Sequence, residues 1–249
     1  MRYVWFLRRP LPGEFHTRIY EGLPGSGKTL MMVRDAVLLM RSGVRVCSNL
    51  RIRDILTGIE SESCATWLEM LEWSVQTLRD GRPTVFCLDE IHLMCDSREW
   101  KSTPSWWRNL MAQRRHFGIG IIGTTQDLSQ VEKRLRTLVK HLVRIRRVRL
   151  WKFPIYRSVM LDPSSIDSPG EAARPIGSAS WHWVKADAFH SYSTREVMKS
   201  EDMAIYNDEQ LASRIAELSS EAFDRLALPD LPSFADRGAD EPLEASESA

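Results

Sequence analysis

Near the amino terminus eight consecutive residues, Gly22-Leu23-Pro24-Gly25-Ser26-Gly27-Lys28-Thr29, meet every position of the pattern G-x-x-x-x-G-K-[ST]. A run of this kind grips a triphosphate. Its glycines let the backbone curl until successive N–H groups point inward at phosphate oxygens. The helix expected to begin here adds its positive end. Lys28 would span the β- and γ-phosphates, Thr29 would offer a hydroxyl to Mg²⁺, and Leu30 completes the set of nucleotide-contacting positions.

A second constellation follows. Thr84-Val85-Phe86-Cys87-Leu88 is an apolar run that ends in two carboxylates, Asp89 and Glu90. Behind a phosphate-binding loop this is the arrangement of a Walker B strand. Asp89 would hold Mg²⁺, largely through water, and Glu90 would orient and polarise the attacking water. A base beside the first acid favours hydrolysis over phosphoryl transfer to an acceptor. Ile119-Gly120-Ile121-Ile122-Gly123-Thr124-Thr125-Gln126 is another apolar run that turns polar at its end. Ligands collect at the carboxyl ends of such strands, which places Gln126 near the γ-phosphate. Just before it, Arg114 or Arg115 is a candidate to reach into a neighbouring subunit and stabilise transition-state charge, with Arg108, Arg134 and Arg136 as rivals.

These groups need elements to hold them. His16 to Glu21 reads as a strand, Lys28 to Ser42 as a helix with Leu30, Val33, Val37 and Met40 on one face, and Val44 to Cys47 as a strand. Trp67 to Leu78 and Ser105 to His116 read as helices. Val131, Leu135, Leu138 and Leu142 mark a short basic helix. Strands alternating with helices predict an α/β fold with a mainly parallel sheet covered on both faces. After Leu142 the pattern becomes alternating, at Val143-Arg144-Ile145, Tyr156 to Met160 and Trp181 to Val184, which predicts a small antiparallel C-terminal appendage. Asp208 is a candidate N-cap for a last helix to Leu218. The division expected is an N-terminal arm (1–15), an ATPase core (16–150), a C-terminal part of the same domain with hairpin and helix (151–228), and an acidic, Pro-rich tail (229–249).

The 249 residues suffice for one mid-sized domain. Their net charge of +1 conceals a basic middle and an acidic tail. Between Lys133 and Lys152 no acid interrupts the basic residues, among them Arg144, Arg146, Arg147 and Arg149. Such a run supplies phosphate contacts to nucleic acid or covers a solvated face. Trp106, Trp107, Trp181 and Trp183 would serve base stacking or, as the commoner use, packing. The four cysteines form no CxxC pair and read as reduced thiols; His92 and Cys95 lack a second ligand pair for zinc. Neither a secretory signal nor a run of ~20 apolar residues is visible, so neither a secreted toxin nor a direct membrane span is expected.

In this order, the loop Gly22 to Thr29, the strand Val46-Cys47-Ser48-Asn49, Leu88-Asp89-Glu90, Arg114-Arg115-His116-Phe117-Gly118 and Thr124-Thr125-Gln126 resemble the zonular occludens toxin (Zot) domain family. That family falls in the FtsK–HerA superfamily of ring ATPases, with the packaging ATPases of tailless, membrane-containing viruses. The resemblance spans roughly residues 16–145 and includes Tyr192-Ser193-Thr194 more loosely. It implies a RecA/FtsK-like P-loop fold, ATP and Mg²⁺ as ligands, and a homo-oligomeric ring, often hexameric, that threads single- or double-stranded DNA. It implies viral capsid or membrane proteins as partners and a place in the host cytoplasm or at a packaging vertex. Filamentous-phage assembly proteins of this kind usually continue into a membrane span and an outer domain. The acidic tail here shifts the expectation toward genome packaging, with extrusion as the alternative. Asp89-Glu90-Ile91-His92 also spells a DExH box, but such helicases need two tandem motor domains. A small-molecule kinase would need an acceptor pocket, and the acid pair argues against it.

Overall fold

The computed structural model describes residues 17–64, 66–95, 107, 111–114, 118–131, 133–150, 153–164, 174–183 and 191–192. Eight strands join in one sheet. They are β1 (Thr17–Glu21), β2 (Arg45–Ser48), β3 (Glu62–Ser63), β4 (Thr84–Leu88), β5 (Ile119–Thr125), β6 (Val139–Leu150), β7 (Phe153–Leu161) and β8 (Ser180–His182). The order across the sheet is β3-β2-β4-β5-β1-β6-β7-β8. Pairing is parallel from β3 through β6 and antiparallel for β6–β7 and β7–β8. The fold is the expected α/β architecture. The late strands form the expected antiparallel C-terminal part, joined to the same sheet where β6 pairs with β1.

All residues of β4 and β5 are buried, as parallel strands covered on both faces must be. One face carries helix α1 (Lys28–Arg41), whose Leu30, Met31, Val33 and Val37 pack on Val46, Val85 and Ile145. The other carries helix α2 (Trp67–Asp80), whose Trp67, Met70, Leu71 and Val75 join Phe86, Trp107, Met111 and Ile121.

The two helices begin differently, and the difference positions the site. At α2 a capping box closes the N-terminus: Glu69 N donates to Thr66 Oγ1 (3.2 Å) and Thr66 N to Glu69 Oε2 (3.0 Å). At α1 the N-cap is Gly27, in a left-handed conformation (φ 97°), with no side-chain cap and no acid in the first turn. Its amides are left for another acceptor.

One sequence expectation changes. The basic helix predicted to reach Leu142 is only α3 (Lys133–Thr137), and Leu142 lies in β6. Apolar residues at 131, 135, 138 and 142 suit a helix, but Val139, Leu142 and Val143 also suit a strand, and the open edge of β1 takes it. Of the helix predicted over 105–116, Trp107 and residues 111–113 are helical, Arg114 is in a turn, and the rest lies outside the described residues, as do the N-terminal arm, the helix from Asp208 and the acidic tail. No described helix is long and apolar enough to cross a membrane.

Candidate nucleotide site

The loop from Gly22 to Gly27 leaves the carboxyl end of β1 and enters α1. Its glycines are required by what surrounds them. A Cβ on Gly22 would lie 2.6 Å from Ile145 O and 2.7 Å from Ser26 Oγ. On Gly27 it would run into the Tyr156 ring, at a φ that L side chains rarely adopt. Strands β6 and β7 therefore back the loop directly. Its crest, Leu23, Pro24 and Gly25, is exposed. Leu30, by contrast, turns its side chain into the core, which limits any part it takes in phosphate binding to its main chain.

Lys28 is only 5% exposed. Its Nζ donates to Leu23 O at 3.5 Å and lies 3.7 Å from Glu90 Oε1. Beside it Thr29 Oγ1 donates to Asp89 Oδ1 at 2.8 Å. Four groups predicted far apart in sequence thus converge: Lys28 and Thr29 from α1, Asp89 and Glu90 from the end of β4. Parallel pairing sets Leu88 against Gly123 and Glu21 against Thr125, so the ends of β1, β4 and β5 come level.

Two residues that sequence reasoning did not place in the site hold the acids. Thr124 Oγ1 donates to Asp89 Oδ1 (2.7 Å) and accepts from Glu90 N (2.9 Å). Asn49 accepts from Asp89 N at Oδ1 (2.8 Å) and donates from Nδ2 to Asp89 O (2.9 Å). This two-way clasp fixes the Asp89 main chain. The signal for both was present, since each is among the first polar residues where a buried strand ends. His92 is the third such residue. Its Nδ1 lies 3.4 Å from Glu90 Oε2 and 3.5 Å from Thr125 Oγ1.

Glu90 has φ 47°, the single positive φ at a non-glycine position among the described residues. Such a conformation costs about 1–3 kcal/mol and persists where its surroundings enforce it. Here they do. Glu90 N is held by Thr124, and Ile91 seats on β5 at Gly123, where a Cβ would lie 3.1 Å from Ile91 Cδ1.

Gln126 follows Thr125, whose carbonyl accepts from Gly22 N at 3.3 Å, and its side chain is exposed. That puts it at the mouth of the site. Glu21, buried at the end of β1, accepts from Leu128 N (3.2 Å) and from Arg144 Nε (2.8 Å), tying the turn after Gln126 to β6. Arg144 is therefore engaged inside the chain. Tyr192 pairs with Ile52; burial, then the charges of Asp89 and Tyr156, push its phenol upward. That brings Tyr192 toward the acids.

Of the arginine candidates, Arg114 is placed inside its own chain. Arg114 is buried, 3% exposed, and donates from Nη1 to Met111 O (2.9 Å) and from Nη2 to Leu138 O (3.0 Å). A guanidinium spent on carbonyls of its own chain does not reach a neighbour. Arg115, Arg108 and the side chain of Arg134 lie outside the described residues.

The residues fit Mg²⁺ and a nucleoside triphosphate. Ser26 Oγ is buried beside the loop without a hydrogen-bond partner, α1 starts uncapped, and the Thr29–Asp89 oxygen pair is the hard-donor set Mg²⁺ prefers alongside phosphate and water. Among the described residues no cluster of three His, Cys, Asp or Glu forms an all-protein metal cage.

Comparison with known proteins places the chain. A search of curated protein sequences finds no match. Among solved structures, the chain is similar to the N-terminal domain of zonular occludens toxin from Neisseria meningitidis, at 21% identity and TM-score 0.48, covering 72% of this chain and 99% of that one. It is also similar to the genome packaging NTPase B204 of Sulfolobus turreted icosahedral virus 2 in complex with ATP-γS, at 14% identity and TM-score 0.46, covering 69% and 98%. Residues 16–157, more than half of the 249, match the family described as zonular occludens toxin (Zot), and the chain belongs to that family.

Proposed function

We propose that this protein is an ATP-hydrolysing motor that moves viral DNA during particle assembly, with genome packaging as the first reading. The observation that carries it is the meeting of Lys28, Thr29, Asp89 and Glu90 at one end of the sheet. The loop amides and Lys28 bind the triphosphate. Thr29 and Asp89 would hold Mg²⁺, which neutralises phosphate charge as it develops. Glu90 orients a water and takes its proton as the water oxygen bonds to the γ-phosphorus and the bond to the bridging oxygen of ADP breaks. Gln126 contacts the γ-phosphate from the end of β5. Subunits form a ring, and an arginine other than Arg114 completes the neighbour's site.

DNA contact is proposed on the late strands. Arg146 pairs across β7 with Arg157, which pairs with Trp181, so the three share one sheet face. Arg157 lies over the Trp181 ring at 6.0 Å, and Trp181 is 51% exposed. Basic and aromatic groups together suit a phosphate backbone and its bases. Capsid or membrane proteins would anchor the motor, in the host cytoplasm or at a packaging vertex. The Zot family match favours a second reading, in which the same motor extrudes DNA into an assembling filamentous particle.

An ATPase assay with and without single- and double-stranded DNA, run beside a native mass measurement, tests the proposal. One DNA form should stimulate turnover by an assembled ring, and Arg146→Ala with Arg157→Ala should reduce both stimulation and its salt dependence. Turnover by a monomer that ignores both DNA forms would defeat it.

A further inference from the structure

We infer that His92 is the residue that positions Glu90 for water activation; the inference rests on the ATPase reading above. The two oxygens of Glu90 face two different bases. Oε1 lies 3.7 Å from Lys28 Nζ. Oε2 is buried, lacks a hydrogen-bond partner, and has His92 Nδ1 at 3.4 Å.

These two neighbours do not survive nucleotide binding equally. An incoming triphosphate carries several negative charges to Lys28, and its ammonium turns from a single carboxylate to them. Glu90 then faces a γ-phosphate of like charge with its first partner gone. At separations of a few ångströms that repulsion moves an unanchored carboxylate away from the water it must hold. Among the described residues His92 is the remaining donor at hand. The short 3-10 turn Ile91–Leu93 carries it, and Ile91 is seated against β5 at Gly123. Its Nδ1 also stands 3.5 Å from Thr125 Oγ1, which in turn donates to Asp127 O (3.0 Å). The imidazole thus sits between the base and the strand end that leads to Gln126. The left-handed backbone at Glu90 makes this possible: it turns the chain sharply enough for residues 90 and 92 to meet over one oxygen.

The test uses the full chain and separates turnover from binding. His92→Leu keeps volume and removes the donor; His92→Asn restores a donor near the place of Nδ1. The expected result is a fall in kcat of about tenfold or more for His92→Leu, with KM and the affinity for a non-hydrolysable ATP analogue within about twofold. His92→Asn should recover most of the loss. In a Glu90→Gln background, His92→Leu should slow the enzyme no further, because the group it positions is gone. An unchanged kcat in His92→Leu would overturn the inference. So would equal losses in both backgrounds, or a loss that His92→Asn fails to recover while its melting temperature stays at that of the parent. If Glu90→Gln itself turns over normally, the ATPase reading fails first; if Glu90→Gln is slow and His92→Leu is not, only the role of His92 falls.

Discussion

At the scale of single residues, the site separates binding from chemistry. Lys28 reaches the loop carbonyl of Leu23 and the carboxylate of Glu90 from a nearly closed position. Lys28→Ala should therefore abolish nucleotide binding, read by isothermal titration with ATP-γS; retained affinity would defeat the loop assignment. Glu90→Gln keeps the shape and removes the base. It should bind the same analogue and lose about 10²- to 10⁴-fold in turnover. Asp89 is over-determined by comparison. Thr29 and Thr124 both donate to one of its oxygens, and Asn49 holds its main chain from both sides. The two acids are neighbours in sequence but are treated differently, one fixed by hydrogen bonds and one held in a strained backbone between two bases.

At the scale of elements, the antiparallel strands do more than widen the sheet. They reach the end of β1 at Glu21 through Arg144, and the nucleotide loop at Gly22 through Ile145 and at Gly27 through Tyr156. Strand β8 reaches α1 as well. Arg34 Nη1 donates to His182 Nδ1 (3.0 Å), which leaves His182 Nε2–H to donate to Ser158 Oγ (2.6 Å). The same Arg34 binds Asp35, which also accepts from Tyr20 and Arg18. Burial and the Arg34 charge push the His182 imidazole from 6.5 down to about 4. A base lowered in the folded state resists a proton that the unfolded chain accepts. Stability from this residue is therefore full above pH 6.5 and declines as pH falls toward about 4. Asp35 enters only below about pH 5. Although burial opposes it, Arg18 and Arg34 hold its carboxyl below the ordinary 3.8. Thermal melting between pH 7 and about 5 should show Tm falling with pH, with a shallower slope in His182→Gln. Identical slopes would remove His182 from the account.

At the scale of the whole molecule, the sheet divides the core in two, and the half under α2 depends on a distant helical residue. Trp107 packs edge-on against Trp67 (ring centroids 5.3 Å apart) and Phe86 (6.0 Å). This settles Trp107 as packing, whereas Trp181 and Trp183 are exposed. Trp107→Ala should cost about 3–5 kcal/mol, on the order of 10 °C in Tm for a chain of this size. A thermal melt within a degree or so of the parent would show that the helix bearing Trp107 contributes little to the fold. The basic run divides in the same way. Arg144 is tied to Glu21, whereas Lys133, Lys140, Arg146 and Arg147 are exposed.

Much of this was legible in the chain itself. The loop Gly22 to Thr29, the strand ending at Asp89 and the strand ending at Thr125 declare themselves, because glycine patterning and buried apolar runs are local signals. The Zot resemblance followed from the same residues, and the family match bears it out. Pairing was not local. Whether residues 138–142 form helix or strand depended on the free edge of β1. Whether Arg114 faces a neighbour or its own carbonyls depended on what surrounds it. The parts played by Asn49, Thr124 and His92 arise only where three strand ends come level, since a hydrogen bond needs a partner within about 3.5 Å and sequence distance says nothing of that. The sequence marked out the candidate groups for the chemistry; the packing of strands it could not foresee decided which groups hold them still.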